Sequence, residues 1–154
     1  MSESDSSLDT FPKVLARNVS KFGNSPAYRE KEYGIWQTWT WSEANQEIMV
    51  LAKGLIKLGV KEGDHVAVIG RNRPYLYWSM VAAQHIGAVP VPLYQDAVAD
   101  EMEYILTHCS ATFAIVGDQE QVDKIHEIQD KIKGLKDIVY VDAKGLRKYD
   151  KSNL

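Results

Sequence analysis

The chain has 154 residues, 45% of them hydrophobic and 25% charged, a composition typical of a globular protein that buries one core. Its 18 basic and 21 acidic residues give a formal net charge of -3, which excludes the global positive field that attracts nucleic acids. The single cysteine, Cys109, excludes an internal disulfide and a zinc site built on paired thiolates, and it favours a reducing, cytoplasmic location.

The first ten residues are acidic and rich in serine, without the basic flank and apolar stretch of a secretory signal. We therefore expect a disordered tail over residues 1–10 and one α/β unit over residues 11–154. No run approaches the roughly 18 to 20 apolar residues that a helix needs to cross a bilayer. A membrane-spanning protein is not expected, whereas peripheral contact with a membrane stays open.

The first elements are predicted to be a helix and an antiparallel hairpin. Apolar positions over Phe11–Phe22 recur on one helical face. Two strand-like runs follow at Ala27–Glu30 and Ile35–Thr40, and the four residues between them, Lys31–Gly34, end in a glycine that suits a tight turn.

Three tryptophans, Trp36, Trp39 and Trp41, lie in or beside the second strand of this hairpin. They could form a stacking platform for bases or sugars. Because no basic residues are interleaved with them, packing of the hairpin onto the neighbouring helix is the favoured interpretation.

A long amphipathic helix is predicted to begin after Thr40. Thr40 and Glu43 have the spacing of a capping box, in which each side chain satisfies a free backbone N–H. Apolar residues then recur at three- and four-residue intervals as far as Leu58, and Gly59 stands where a C-terminal glycine cap is expected.

From His65 onward, short apolar runs alternate with helical stretches. This alternation predicts an α/β fold with a mainly parallel sheet and helices on both faces. Asn72 is the expected N-cap of the helix that starts at Pro74, a helix apolar enough to be deeply buried, and Gly87 is expected to end it. The segments are HVAVIG (65–70), Pro74–Ile86, VPVPL (89–93), Asp100–His108, TFAIVG (112–117), Gln119–Ile132 and DIVYVD (137–142).

The sequence lacks most of the motifs that mark nucleotide-binding, hydrolytic and metal sites. No two glycines are separated by a single residue, so the Gly-x-Gly-x-x-Gly dinucleotide fingerprint is absent, and there is no Gly-x-Ser-x-Gly nucleophile elbow. Gly54 and Gly59 have the spacing of a P-loop but are followed by Val60 and Lys61 instead of Lys and Ser or Thr. The four histidines show no metal-ligand pattern, and Cys109 is interpreted as a small buried hydrophobe in preference to a reactive thiol.

Four blocks carry a resemblance to a known family. Trp39–Glu43, Gly59–Val68, Asn72–Pro74 and Gly87–Tyr94 resemble, in sequence and in spacing, the AMP-forming acyl-CoA synthetases. The resemblance implies the amino-terminal part of the large domain of an adenylate-forming enzyme.

A branch within that family is also indicated. Arg71–Pro74 with an aromatic near Trp78, and Tyr140–Asp142 with Gly145–Asp150, resemble the long-chain fatty-acid-CoA ligases.

The resemblance implies that the complete enzyme uses ATP and Mg²⁺ to form an acyl-adenylate from a fatty acid and then transfers the acyl group to coenzyme A. Family members bind ATP with a Ser/Thr/Gly-rich loop ending in Pro-Lys and use a late lysine in catalysis. This sequence has Pro12-Lys13 without such a loop. We therefore assign it no catalytic, cofactor-binding or metal-binding residue, expect the chain alone to be inactive, and expect its partner to be the remainder of the synthetase.

Asn72 and Arg73 are the candidate site residues, because they follow a strand at the carboxyl end of a parallel sheet, where α/β proteins bind ligands. A structural role is favoured for both, Asn72 as helix cap and Arg73 paired with an acidic neighbour.

The alternative function is a stand-alone, non-catalytic α/β binding or regulatory module. Its support is the length of the chain, which is ample for one domain. Against it, Ile69-Gly70-Arg71 stands where a phosphoacceptor receiver would carry acidic residues, and no flavin phosphate loop is recognisable. An excised part of a larger domain would instead expose apolar surface and self-associate.

Overall fold

The computed structural model of the protein describes residues 8–150, 152 and 154. Most of the tail expected over residues 1–10 lies outside this described part. The elements, in chain order, are α1 (Phe11–Phe22), β1 (Pro26–Glu32), β2 (Ile35–Thr40), α2 (Trp41–Leu58), β3 (His65–Ile69), α3 (Pro74–His85), β4 (Val89–Leu93), α4 (Ala99–His108), β5 (Phe113–Val116), α5 (Gln119–Ile128), β6 (Asp137–Tyr140) and a 3₁₀ turn (Leu146–Lys148).

The larger sheet is parallel throughout, with the strand order β4-β3-β5-β6. Alternate side chains of its central strands enter two separate cores. Val66, Phe113 and Ile115 pack with α1, α2 and α3, whereas Ala67 and Val116 pack with α4 and α5. The predicted α/β fold, with helices on both faces and an amino-terminal hairpin, is confirmed.

The hairpin has a shorter turn than the sequence suggested. Lys31 and Glu32 continue β1 and pair with Trp36 and Ile35, so the four-residue turn predicted over Lys31–Gly34 is wrong. The turn consists of Tyr33 and Gly34, with φ angles of 47° and 81°. Positive φ at both central residues is the geometry of a type I′ turn, whose twist matches that of the two strands.

The predicted capping box of α2 is confirmed. Thr40 Oγ1 accepts a hydrogen bond from the Glu43 N–H at 3.2 Å, and the Glu43 carboxylate accepts one from the Thr40 N–H at 2.8 Å. At the other end Gly59 has a φ of 93°, and its N–H points to the carbonyls of Leu55 and Ile56. Both ends of the helix are therefore set by local sequence.

Helix α3 begins one residue later than a cap at Asn72 requires. Arg73 is its N-cap, with φ −123° and ψ 163°, so the prediction of Asn72 as the cap is wrong. Pro74 explains the difference, because its ring disfavours helical backbone at the preceding residue and makes Arg73 the last extended position. Asn72 Oδ1 instead accepts a hydrogen bond from the Tyr77 hydroxyl at 2.5 Å. At the far end, Gly87 follows the helix with a φ of 75°.

One further boundary and one tryptophan differ from expectation. Helix α5 ends at Ile128, because the chain tightens there into a turn in which the Lys131 N–H bonds to the Ile128 carbonyl, and Ile132 still reaches the core. Trp39 packs as predicted, with its ring 5.3 Å from that of Trp78. Packing of Trp36 was predicted wrongly, since its side chain is 63% exposed.

Candidate functional site at the carboxyl edge of the sheet

A cleft of about 780 Å³ lies at the carboxyl edge of the parallel sheet. One wall is formed by the segments that follow β3, β5 and β6, and the other by the hairpin and the start of α3. Four carboxylates and three cations line it: Glu30, Glu32, Asp118, Asp142, Arg71, Arg73 and Lys144. The cleft is thus polar and close to electrically balanced.

The topology of the sheet explains why a cleft forms here. From β3 the chain crosses to β4 on one side, and from β4 it crosses back over β3 to β5 on the other. Helices leave the two central strands toward opposite faces, so a crevice opens outside their carboxyl ends. Arg71 and Gly117, which follow β3 and β5, line the cleft at this position.

The crevice between β3 and β5 is filled by Tyr75. Its hydroxyl lies between Gly70 and Gly117, and a methyl group on Gly117 would be 2.5 Å from it. The hydroxyl accepts a hydrogen bond from the Arg71 N–H at 3.1 Å. Burial raises the pKa of Tyr75 and the Arg71 N–H opposes that effect, so the neutral phenol is the form present at pH 7.

This arrangement does not fit a nucleotide phosphate. In open α/β sheets, phosphates take up the space outside the central strands and accept hydrogen bonds from backbone N–H groups. Here the Tyr75 hydroxyl occupies that space and uses the Arg71 N–H. Within the part of the chain that the structure describes, no cluster of three or more His, Cys, Asp or Glu side chains could hold a metal.

The two candidate residues are neighbours in sequence but point to different partners. Arg73 Nη1 lies 2.6 Å from Glu30 Oε1 and 3.8 Å from Glu32 Oε1, an ion pair that ties the start of α3 to the hairpin. Asn72 turns away from the cleft toward Tyr77. The pairing of Arg73 with an acidic neighbour is as expected, and contact of either residue with a ligand stays a prediction.

Residues that sequence reasoning missed form most of the cleft. Tyr75 was not considered, nor was Asp118, whose Oδ1 accepts a hydrogen bond from the Glu120 N–H at 3.0 Å and caps α5. A signal for both was present. Gly70 and Gly117 each directly follow an apolar strand of the sheet, and a glycine there indicates that another group approaches the backbone closely.

The single cysteine lies away from the cleft. Cys109 is half-buried at the end of α4, and burial raises the pKa of its thiol, which disfavours the reactive thiolate.

None of the helices described here is long and apolar enough to cross a bilayer.

Comparison with known proteins identifies the family. Residues 15–153 match the model of the AMP-binding enzyme family. The chain belongs to this family. A long-chain-fatty-acid–CoA ligase of Xenopus laevis, ACSBG2, is 28% identical over 130 residues, which are 84% of this chain and 18% of that protein. The resemblance to the long-chain ligases inferred from the sequence is therefore confirmed.

Solved structures of AMP-binding enzymes share the fold. The anthranilate CoA ligase AuaEII, in complex with anthranoyl-AMP, is 25% identical, with a TM-score of 0.75 over 84% of this chain and 24% of that one. A fatty acyl CoA synthetase of Mycobacterium tuberculosis is 24% identical, with a TM-score of 0.77 over 85% of this chain and 26% of that one. The chain spans about a fifth of the length of the curated relatives it matches.

Replacing Arg73 with alanine should lower the stability of the protein more than it lowers the acyl-CoA turnover that we propose for the complete enzyme. The ion pair with Glu30 is partly exposed, so its loss should cost about 1 kcal/mol or less. The measurements are thermal unfolding of the chain and turnover of the complete enzyme. Arg71→Ala is the matched control, since it removes a cation from the same cleft but no ion pair with a described residue. A large loss of turnover at an unchanged melting temperature would contradict the structural role of Arg73.

Proposed function

We propose that residues 11–154 form the amino-terminal part of the large domain of an ATP-dependent long-chain fatty-acid–CoA ligase located in the cytoplasm. The observation that carries this proposal is the family match over residues 15–153 together with relatives that are long-chain ligases. The complete enzyme would use ATP and Mg²⁺ to join a fatty acid to coenzyme A. The partner of this chain would be the remainder of the synthetase polypeptide.

The carboxylate must be activated because it is a poor acyl donor to a thiol. Conversion to an acyl-adenylate supplies AMP as a good leaving group, and nearby positive charge offsets the charge on the phosphates. Tyr75 fills the crevice where a phosphate would sit in this sheet, so no step of the reaction is assigned to residues of this chain.

The proposed role of this chain is structural support for a site completed by other residues. Its parallel sheet is held by two apolar cores, and the Arg73–Glu30 ion pair fixes the hairpin beside the carboxyl edge. The cleft would then present a preformed wall to the rest of the domain. This division fits a cleft whose central crevice is already filled by Tyr75.

The proposal is tested on the native gene product. Its intact mass and a peptide map show whether sequence continues beyond Leu154, and exchange of labelled pyrophosphate into ATP reports acyl-adenylate formation. We expect a product several times longer, with exchange that depends on palmitate and not on acetate or anthranilate. A product that ends at Leu154, or one without exchange for any fatty acid, would refute the proposal and favour a stand-alone binding module.

A further inference from the structure

The two outer strands of the parallel sheet, β4 and β6, differ in what their free edges can bind. Among the described residues, β4 pairs only with β3 and β6 only with β5. The backbone groups on the other side of an outer strand are free to pair with a further strand. Whether an edge accepts one depends on the N–H groups that it still offers.

Two prolines close the edge of β4. The Val89 N–H bonds to the Asp64 carbonyl at 2.8 Å, so Val89 directs its backbone groups to β3. Because successive residues direct these groups to opposite sides of a strand, Pro90 and Pro92 face away from β3. Proline has no N–H, so the outer edge of β4 lacks the donors that a regular ladder needs.

The edge of β6 is open. Its four residues, Asp137–Tyr140, include no proline, so every backbone group that points away from β5 keeps its donor or acceptor. Both faces of the strand are apolar. Ile138 is buried in the core with α4 and α5, and Val139 packs against the core with α1, α2 and α3. A strand added here would be apolar on both faces, as inner strands of parallel sheets are.

The path of the chain after β6 selects this same edge. Helices α4 and α5 lie on one face of the sheet, and the crossovers that contain them both carry the chain toward β6. Beyond β6 the chain stays on that face, because Leu146 is buried in the same core and Leu154 packs against it. Since crossovers between parallel strands are right-handed, the next parallel strand would lie on the far side of β6.

We propose that the remainder of the synthetase binds the open edge of β6 as a parallel strand, and that it does so even as a separate chain. Both faces of the sheet are already covered by helices of this chain, so the edge is formed before the remainder binds. A covalent link would raise the local concentration of the partner strand without changing the contacts. The inference rests on the proposed function, which supplies the remainder.

The test co-expresses the tagged 154-residue chain with the rest of the native gene product as a second polypeptide. We expect the two to co-purify as a one-to-one complex that exchanges labelled pyrophosphate into ATP. The uninterrupted product is assayed beside them. An inactive uninterrupted product would count against the proposed function, whereas an active one whose two separate parts do not co-purify would count against pairing in trans.

Val139→Lys tests the edge itself. A charge on an outer strand blocks pairing, because the incoming strand would bury it, so binding should weaken about tenfold or more. The chain alone should still fold, since Val139 is only partly buried and lysine can extend its ammonium to solvent. Val89→Lys is the matched control, because it makes the same change on the closed edge, where Val89 is 45% exposed. It should bind as the unchanged chain does.

Hydrogen exchange gives a measurement that needs no activity. In the chain alone, the β6 amides that point away from β5 should exchange rapidly, and in the complex and the uninterrupted product they should slow at least about tenfold. The Val91 amide, which faces β3, should stay protected throughout. Rapid exchange of those β6 amides in the uninterrupted product, or equal binding by the Val139→Lys and Val89→Lys variants, would overturn the proposal.

Discussion

Replacing Trp78 with alanine should lower the free energy of unfolding by about 3–5 kcal/mol, the range for removing a large aromatic from a core. Trp78 is 7% exposed and lies between the sheet and the hairpin, with ring centroids 5.8 Å from Tyr28 and 5.3 Å from Trp39. Its loss leaves a cavity and also removes the surface on which the hairpin rests. Urea unfolding followed by far-UV circular dichroism measures the effect without relying on tryptophan emission.

Trp36→Ala is the matched control for Trp78→Ala, since it removes the same side chain from an exposed position on the hairpin that packs against Trp78. It should change stability by no more than about 0.5 kcal/mol. Trp78→Phe should cost much less than Trp78→Ala, because it keeps a ring and removes an indole N–H that has no partner among the described residues. Equal losses for Trp78→Ala and Trp36→Ala would show that the hairpin does not depend on this contact.

Elements whose limits are encoded locally were predictable from the sequence. Helix α1 has the bounds that its apolar spacing indicates, Phe11–Phe22. Helix α2 follows the reciprocal hydrogen bonds of Thr40 and Glu43, which involve residues three positions apart. The parallel sheet was predictable because strands with apolar residues on both faces need helices on both sides.

The errors in the fold arose where two local rules compete. Asn72 is a good helix cap, but the restriction that Pro74 places on Arg73 takes precedence. At the hairpin, Gly34 correctly indicated a turn, whereas its length depends on cross-strand pairs such as Lys31 with Trp36. The exposure of Trp36 follows from the same register, since a residue's face is fixed only when the pairing is known.

The candidate site was predictable as a location and not as a set of residues. The rule that ligands bind at the carboxyl edge of a parallel sheet led to Asn72 and Arg73. The cleft itself is made by contacts between distant parts of the chain, such as Arg73 with Glu30 and the Tyr75 hydroxyl with Gly117. Neither contact has a sequence pattern that specifies it, so only the tertiary structure shows them.

Gly70→Ala should destabilise the protein by about 1–3 kcal/mol, the usual cost of adding a methyl group to a packed site. A Cβ atom at Gly70 would collide with the Tyr75 hydroxyl and stand 3.1 Å from Cζ of that ring. The backbone at Gly70 is not in the left-handed region, so the penalty should come from this contact and not from conformation. Denaturant unfolding of the single variant measures the total cost.

A double-mutant cycle with Tyr75→Phe isolates the contact. Tyr75→Phe alone should cost about 1 kcal/mol, because the Arg71 N–H loses its acceptor. In the double variant the new methyl group meets no hydroxyl, so the costs of the two single variants should sum to more than the loss measured for the double variant.

Gly54→Ala is the control. Gly54 lies within α2 with no atom within 4 Å of an added Cβ, and alanine there should stabilise the helix by about 0.5–1 kcal/mol. Strictly additive losses for Gly70→Ala and Tyr75→Phe would mean that Tyr75 does not fill the crevice, which would then be open to a ligand.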